Sequence, residues 1–285
     1  MGLVGVSLDT GPAVKNELSR HLAPAYTLPS LLQSEPAISS TLALLFNWLD
    51  KFAASSEPVH LDKYFTFATS DIVGEAIFSK PIGFLREGRD IDNTIANSHP
   101  QAAYVSVAGS FRWIHNPDGR MQMYEVHSAA FNAVAAGNET ISAGMQAFRA
   151  RAEMGAADLG NNAAGVVSFA DAQRLPFLQA CIKEALRMFG RASMGLGEDA
   201  SEFNPDPWFA ADAASREKYF IPCGKGYASC SGQNLAKFEL SKVCATLVRG
   251  YDIRQVEPQQ EWTWKAYFTG VPENWPCYVA KREKA

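Results

Sequence analysis

Apolar residues recur at three- and four-residue steps through most of the chain, the spacing of helices that bury one face. The first clear stripe is Ile38, Leu42, Leu45, Leu49 and Phe52. Ser34-Glu35-Pro36, just ahead of it, reads as a helix start: a capping serine, an acid in the first turn and an early proline. After Pro58, a second stripe comprises Leu61, Phe65, Ala68, Ile72 and Ala76. From Asp90 to about Phe111 the chain starts helical, and Pro100 breaks it. His127 to Phe148 reads as a helix despite Gly137 and Gly144. Leu175 to Phe189 is another, with Leu178, Ile182, Leu186 and Phe189 on one face. The last runs from Gly232 to Val248, striped by Ala236, Leu240, Val243 and Leu247.

The tail changes period. Trp262, Trp264, Ala266 and Phe268 alternate with Thr263, Lys265 and Tyr267, which predicts a strand. Val271-Pro272 then reads as a turn toward a second short strand, Cys277-Tyr278-Val279. The expected fold is therefore mainly α with minor β, and residues 1–285 read as one domain without internal repeats. Three connections fit poorly: Asn116 to Arg120, Gly155 to Val167 and Gly190 to Ala200. The second is rich in Gly, Ala and Asn, and loops of that length are uncommon inside a compact domain.

Composition narrows the function classes. The chain has 285 residues, 47% hydrophobic and 20% charged, enough for a large core. Net charge is −4 and no block of Lys and Arg stands out, so nucleic acid is not an expected partner. The five cysteines, at 181, 223, 230, 244 and 277, form no secreted framework and read as free thiols in a reducing compartment. Cys181 and Cys244 sit among apolar helical positions and read as core residues. Cys223 and Cys230 lie too far apart for a zinc knuckle, and the five histidines show no ligand spacing.

The strongest chemical feature is Phe220-Ile-Pro-Cys-Gly224-Lys-Gly226-Tyr-Ala-Ser-Cys230-Ser-Gly232. Glycines let a backbone run close under a flat ligand. A cysteine at the mouth of the following helix faces unpaired amides and the positive end of the dipole, which stabilise a thiolate. Such a sulfur suits an axial iron ligand. On local grounds alone, Cys230 is either that ligand or a small buried residue beside a glycine turn. Three further elements stand with it. Glu184-Ala-Leu-Arg187 sets an acid and a base one helical turn apart. Ala136-Gly137-Asn138-Glu139-Thr140 puts an acid beside a hydroxyl within a helix, and Phe203-Asn204-Pro205-Asp206-Pro207-Trp208 is an aromatic-proline turn.

In this order the four elements resemble the cytochromes P-450, the haem-thiolate monooxygenases. Ala136–Thr140 matches the oxygen-activation motif, Glu184 and Arg187 the Glu-x-x-Arg pair, Phe203–Trp208 the Phe-x-Pro-x-x-Trp element, and Gly224–Gly232 the cysteine loop. Leu18–Pro24 looks like a helix that contacts a haem propionate, and Phe67–Phe78 like a further core helix. The wording of the loop and of Ala236–Ile253 is closest to fungal members that oxidise specialised metabolites. The resemblance implies a shortened fold of that family, helices around a haem pocket with a small C-terminal β region. It implies haem held by Cys230, with Gly224, Gly226 and Gly232 beneath it, and Thr140 and Glu139 handling dioxygen and protons. Glu184 and Arg187 take a structural role. Electrons come from an NADPH-dependent flavoprotein reductase, and the substrate is a lipophilic small molecule. The alternative is a truncated homologue that holds no haem or only binds ligands.

The resemblance breaks at definite places. Family segments that precede about Lys15, an anchor helix among them, have no counterpart, and blocks are absent near Asn116–Arg120 and between Arg187 and Phe203. No membrane anchor is therefore expected in the chain as written, and an intracellular protein is, although full-length fungal members are usually endoplasmic-reticulum membrane proteins. The aromatic position seven before the ligand is Cys223, the polar position two before it is Ala228, and the residue after it is Ser231. Pro207 replaces the arginine that closes the Glu-Arg-Arg network, which predicts one partner fewer for Glu184 and Arg187.

Overall fold

The computed structural model describes residues 26–97, 165–189, 203–211, 213–225, 229, 232–257, 263–266 and 270–282. A short helix α1, Leu28–Gln33, leads directly into the long α2, Glu35–Ser55. The expected cap at Ser34 is not formed: its backbone is helical and its side chain accepts no hydrogen bond from the helix. Ser34 ends α1 instead, where its N–H donates to Ser30 O, and the capping oxygen belongs to Thr27. A residue with helical φ/ψ cannot turn its side chain onto the next turn's amides as an extended N-cap residue does.

The stripe of α2 is buried as predicted, with Ile38, Leu42, Leu45 and Leu49 all without exposure and Phe52 half-buried. It packs on α3, Leu61–Phe78, whose Leu61, Phe65, Ala68 and Ile72 close the same core. Asp71, buried on α3, accepts the N–H groups of Gly83, Phe84 and Leu85 and so fastens the start of α4, Phe84–Glu87. Gly88 follows α4 at φ +66, and a Cβ there would come within 2.6 Å of the Trp48 ring. Trp48 Nε1 in turn donates to Leu85 O at 2.7 Å. A 3-10 turn at Ile91–Asn93 then begins the predicted Asp90 segment.

A second cluster forms where α5, Phe169–Gln173, and α6, Pro176–Phe189, meet α8, Gln233–Gly250. Leu178, Ile182, Cys181 and Cys244 lie in it, so both cysteines are core residues. Helix α8 is buried on more than the predicted stripe: Phe238, Glu239, Ser241, Lys242 and Thr246 are buried as well. Lys242 has no exposure and donates to Glu35 Oε1 at 2.5 Å and to Val167 O at 3.0 Å. Burial lowers its pKa, and the Glu35 carboxylate works against that.

The β structure is larger than predicted. β5, Pro276–Lys281, is the centre of an antiparallel sheet between β1, Val59–His60, and β2, Tyr251–Gln255. Ile253 stands opposite Val279, and Val59 opposite Cys277. β3, Thr263–Ala266, pairs with β4, Gly270–Glu273, with Trp264 opposite Pro272. Val271-Pro272 is thus strand rather than turn, and the predicted Trp262–Phe268 strand finds its partner there instead of at Cys277. Proline is tolerated because a two-stranded ladder has edges that need no donor. No described helix is long and apolar enough to cross a membrane. The predicted helix His127–Phe148, Pro100, and the connections Asn116–Arg120 and Gly190–Ala200 lie outside the described residues.

Candidate functional site

The glycine loop delivers the chain to α8. Gly224 takes φ +72, a left-handed conformation that glycine adopts without strain, and its N–H donates to Ile221 O at 3.0 Å. Gly232 caps α8 at φ −79, and no side chain satisfies the first-turn amides from that position. The first turn carries no acid, so the positive end of the dipole is not offset by a carboxylate there. Asn234 ties this end to α1 by donating from Nδ2 to Tyr26 O at 3.0 Å. An anionic group beside this helix start would meet backbone N–H donors. Cys230 and Gly226 lie outside the described residues.

Glu184 and Arg187 form a partly buried pair on α6. Arg187 donates from Nε at 2.8 Å and from Nη2 at 2.7 Å, one bond to each carboxylate oxygen. The Glu184 side chain is 3% exposed and that of Arg187 30%. Two further donors reach the carboxylate: the Asn204 N–H at 3.0 Å and the Trp208 indole N–H at 3.0 Å. Burial pushes the Glu184 carboxyl up, but the donors from Arg187, Asn204 and Trp208 outweigh it, and its pKa lies below the ordinary value. The hydrogen bond to Glu184 raises the Arg187 pKa in turn. The expected shortage of partners opposite Pro207 is therefore not found at Glu184. A backbone amide and an indole supply what a guanidinium would.

The aromatic-proline turn is what brings those donors in. Asp206–Trp208 is a 3-10 turn, closed by Trp208 N–H to Pro205 O at 3.1 Å and by Asp206 N–H to Asn204 Oδ1 at 3.0 Å. Trp208 then meets Phe220 edge to face, with ring centroids 4.9 Å apart. Lys183 lies over the Trp208 ring at 5.6 Å and pairs with Glu217 on α7, Ala213–Glu217. The stem of the glycine loop is thereby linked through Trp208 to the buried ion pair.

Comparison with known proteins points the same way as the loop and the ion pair. Residues 198–269 match the family model for cytochrome P450. A cytochrome P450 monooxygenase of Aspergillus terreus is 21% identical over 353 residues, covering 85% of this chain and 72% of that protein. The cytochrome P450 monooxygenase cicH of Emericella nidulans is 20% identical, covering 87% and 71%. The chain is similar to the cytochromes P450 over residues 198–269 and along most of its length.

Its fold agrees. The heme domain of a cytochrome P450DA mutant superposes with a TM-score of 0.68 at 13% identity, covering 92% of this chain and 76% of that one. The chain is nonetheless shorter than the relatives it matches. The alignment to the Aspergillus protein runs over 353 residues although the chain has 285, so that relative carries internal segments this one lacks.

Of the residues expected to serve a cytochrome P450 site, the structure brings Glu184 and Arg187 together and sets Gly224 and Gly232 in the loop and cap before α8. Glu139 and Thr140 lie outside the described residues, with Cys230 and Gly226. Asn204 and Trp208 were missed as partners of Glu184. One signal was present: an indole that enters a core brings an N–H that needs an acceptor.

Proposed function

We propose that this chain is a cytochrome P450, a haem-thiolate monooxygenase that oxidises a lipophilic small molecule in fungal secondary metabolism, with Cys230 as the iron ligand. The observation that carries the reading is the glycine loop entering an acid-free helix start, inside the stretch that matches the family model. That setting fits the group: backbone amides at the head of α8 favour a sulfur anion, and Gly224 takes its left-handed turn without adding a Cβ of its own. Bound there, haem would supply dioxygen activation, with one oxygen atom entering the substrate and the other leaving as water.

The chain's own residues carry the rest. Cys230 Sγ is held as thiolate by the α8 amides. Gly224, Gly226 and Gly232 let backbone approach a flat ring. The Thr140 hydroxyl would hold a proton for the reaction, and the Glu139 carboxylate would pass protons to it. Glu184, Arg187 and Trp208 brace the stem of the loop. Electrons come from an NADPH-dependent flavoprotein reductase, and the protein works inside the cell.

A second reading is a shortened homologue that no longer oxidises. The 353-residue alignment of a 285-residue chain favours it, since relatives carry internal segments that are absent here. One measurement separates the two: the carbon monoxide difference spectrum of the dithionite-reduced, haem-supplied protein. A thiolate-type Soret band that vanishes in Cys230→Ser supports the monooxygenase. Folded protein that takes up no haem supports the second reading.

A further inference from the structure

The position that carries an arginine in the family's Phe-x-Pro-x-x-Trp element is Pro207 here, which offers no side-chain donor. Glu184 still holds four donor contacts: two from Arg187, one from the Asn204 amide and one from Trp208 Nε1. The residue that fills the gap is the next in sequence. Proline within the Asp206–Trp208 turn pins φ, and the turn's closing hydrogen bonds aim the indole at α6. The same ring meets Phe220, in the stem that leads to Gly224 and Cys230.

We propose that Trp208 is a positioning residue: its indole N–H replaces the missing guanidinium on Glu184, and its ring sets the Phe220 stem of the cysteine loop. The exchange changes the charge of the cluster. A second arginine would make it one carboxylate and two guanidiniums; with Trp208 it is neutral. A neutral donor brings no second charge to desolvate beside Arg187. Its ring also contacts both Lys183 and Phe220. The other charged groups around the turn are Asp206 itself and Glu217, which pairs with Lys183 and feels Lys237. The loop-setting half rests on the haem-thiolate reading of Cys230; the Glu184 half does not.

The test compares the unaltered 285-residue chain with Trp208→Phe and with Trp208→Phe/Pro207→Arg. Phenylalanine keeps a ring against Phe220 and removes only the N–H. The first readout is the acid limb of stability against pH, in protein prepared without haem. Trp208→Phe moves the acid limb to higher pH, because the Glu184 carboxylate loses one of the donors that hold its pKa down. The second arginine moves it back down. The second readout is the thiolate share of the reduced carbon monoxide complex after haem supply. It falls several-fold in Trp208→Phe and recovers in the double variant.

An unmoved acid limb in Trp208→Phe overturns the donor role. A moved limb with an unchanged thiolate share overturns the loop-setting role. If Trp208→Phe does not fold, folding restored by Pro207→Arg supports the replacement, and failure of the double variant overturns it. A wild-type chain that binds no haem defeats the monooxygenase reading and the loop-setting role, while the acid limb still decides the role at Glu184.

Discussion

Two glutamates are buried in this protein to nearly the same extent, and they behave in opposite ways. Glu184 is 2% exposed and Glu239 4%. Glu184 sits among Arg187, Asn204 and Trp208, and its carboxyl lies below its ordinary pKa. Glu239, on α8, faces a cavity lined by Leu45, Phe65, Ile72, Val243 and Leu247, and its Oε1 has no hydrogen-bond partner among the described residues. Burial alone drives its pKa well above the ordinary value. Depth does not set the charge of a carboxyl; the donors that reach it do.

The comparison breaks most visibly if each side chain is removed. Glu184→Ala leaves a half-buried guanidinium and two oriented N–H donors without their acceptor. The expected loss is about 3–5 kcal/mol at neutral pH, read as a fall in the urea midpoint. A loss below about 1 kcal/mol would mean that the pair behaves as a surface one. Glu239→Met has the opposite sign. It removes an unsatisfied carboxyl and keeps the volume, so the protein gains about 1–3 kcal/mol at neutral pH. A destabilised Glu239→Met would show that the carboxyl has a partner the structure does not reveal.

The pH dependence sharpens the same contrast at smaller amplitude. The folded pKa of Glu184 is depressed, so its contribution is fully present above the unfolded value of about 4.3 and is lost as pH falls through the folded one. The folded pKa of Glu239 is raised. The folded state then holds a proton the unfolded state has released, and stability declines as pH rises above about 4.3 toward the folded pKa. Glu184→Gln should flatten the acid limb of the stability curve and Glu239→Gln the neutral limb. Curves measured in urea between pH 3 and 8, taken as roughly bracketing these values, check both.

The smallest effect is on reactivity. Cys244 lines the same cavity as Glu239, and burial pushes its thiol up to about 12. Cys277 is likewise raised to about 12, again chiefly by burial. Both should resist alkylation in the native protein at pH 8, while half-buried Cys223 reacts ahead of them, as followed by mass spectrometry of labelled peptides. Fast native labelling of Cys244 would show that the Glu239 cavity opens to solvent.

Much of the fold was readable as periodicity. Most of the stripes of α2 and α3, and Leu178 and Ile182 of α6, landed on core residues because a helix that packs on one side needs apolar residues only there. Helix α8 escaped that rule. It is covered on several sides, so its buried positions include Glu239 and Lys242, which no one-sided stripe would assign to a core. The cap at Ser34 was misread because a helix starting at Leu28 already occupies its backbone. β2 was missed although Tyr251 and Ile253 alternate after Gly250, because a short strand shows its character only beside a partner, here β5. At the site, Glu184 and Arg187 were visible as a spacing, and Pro207 as a missing donor. The replacement donors were not, because a main-chain amide has no sequence signature and an indole hydrogen bond depends on how a turn is aimed.

The amino-acid sequence by itself determined the helices that carry the core, the α6 pair and the glycine loop ahead of α8, since local spacing and backbone preference decide such elements. Tertiary structure decided which charges those elements keep. It gave Glu184 four donor contacts and left Glu239 Oε1 without one among the described residues, and it buried Lys242 against Glu35, more than two hundred residues away in the chain. Ionisation inside a protein is set by what lies within hydrogen-bond reach in space, and that neighbourhood exists only once distant segments have packed.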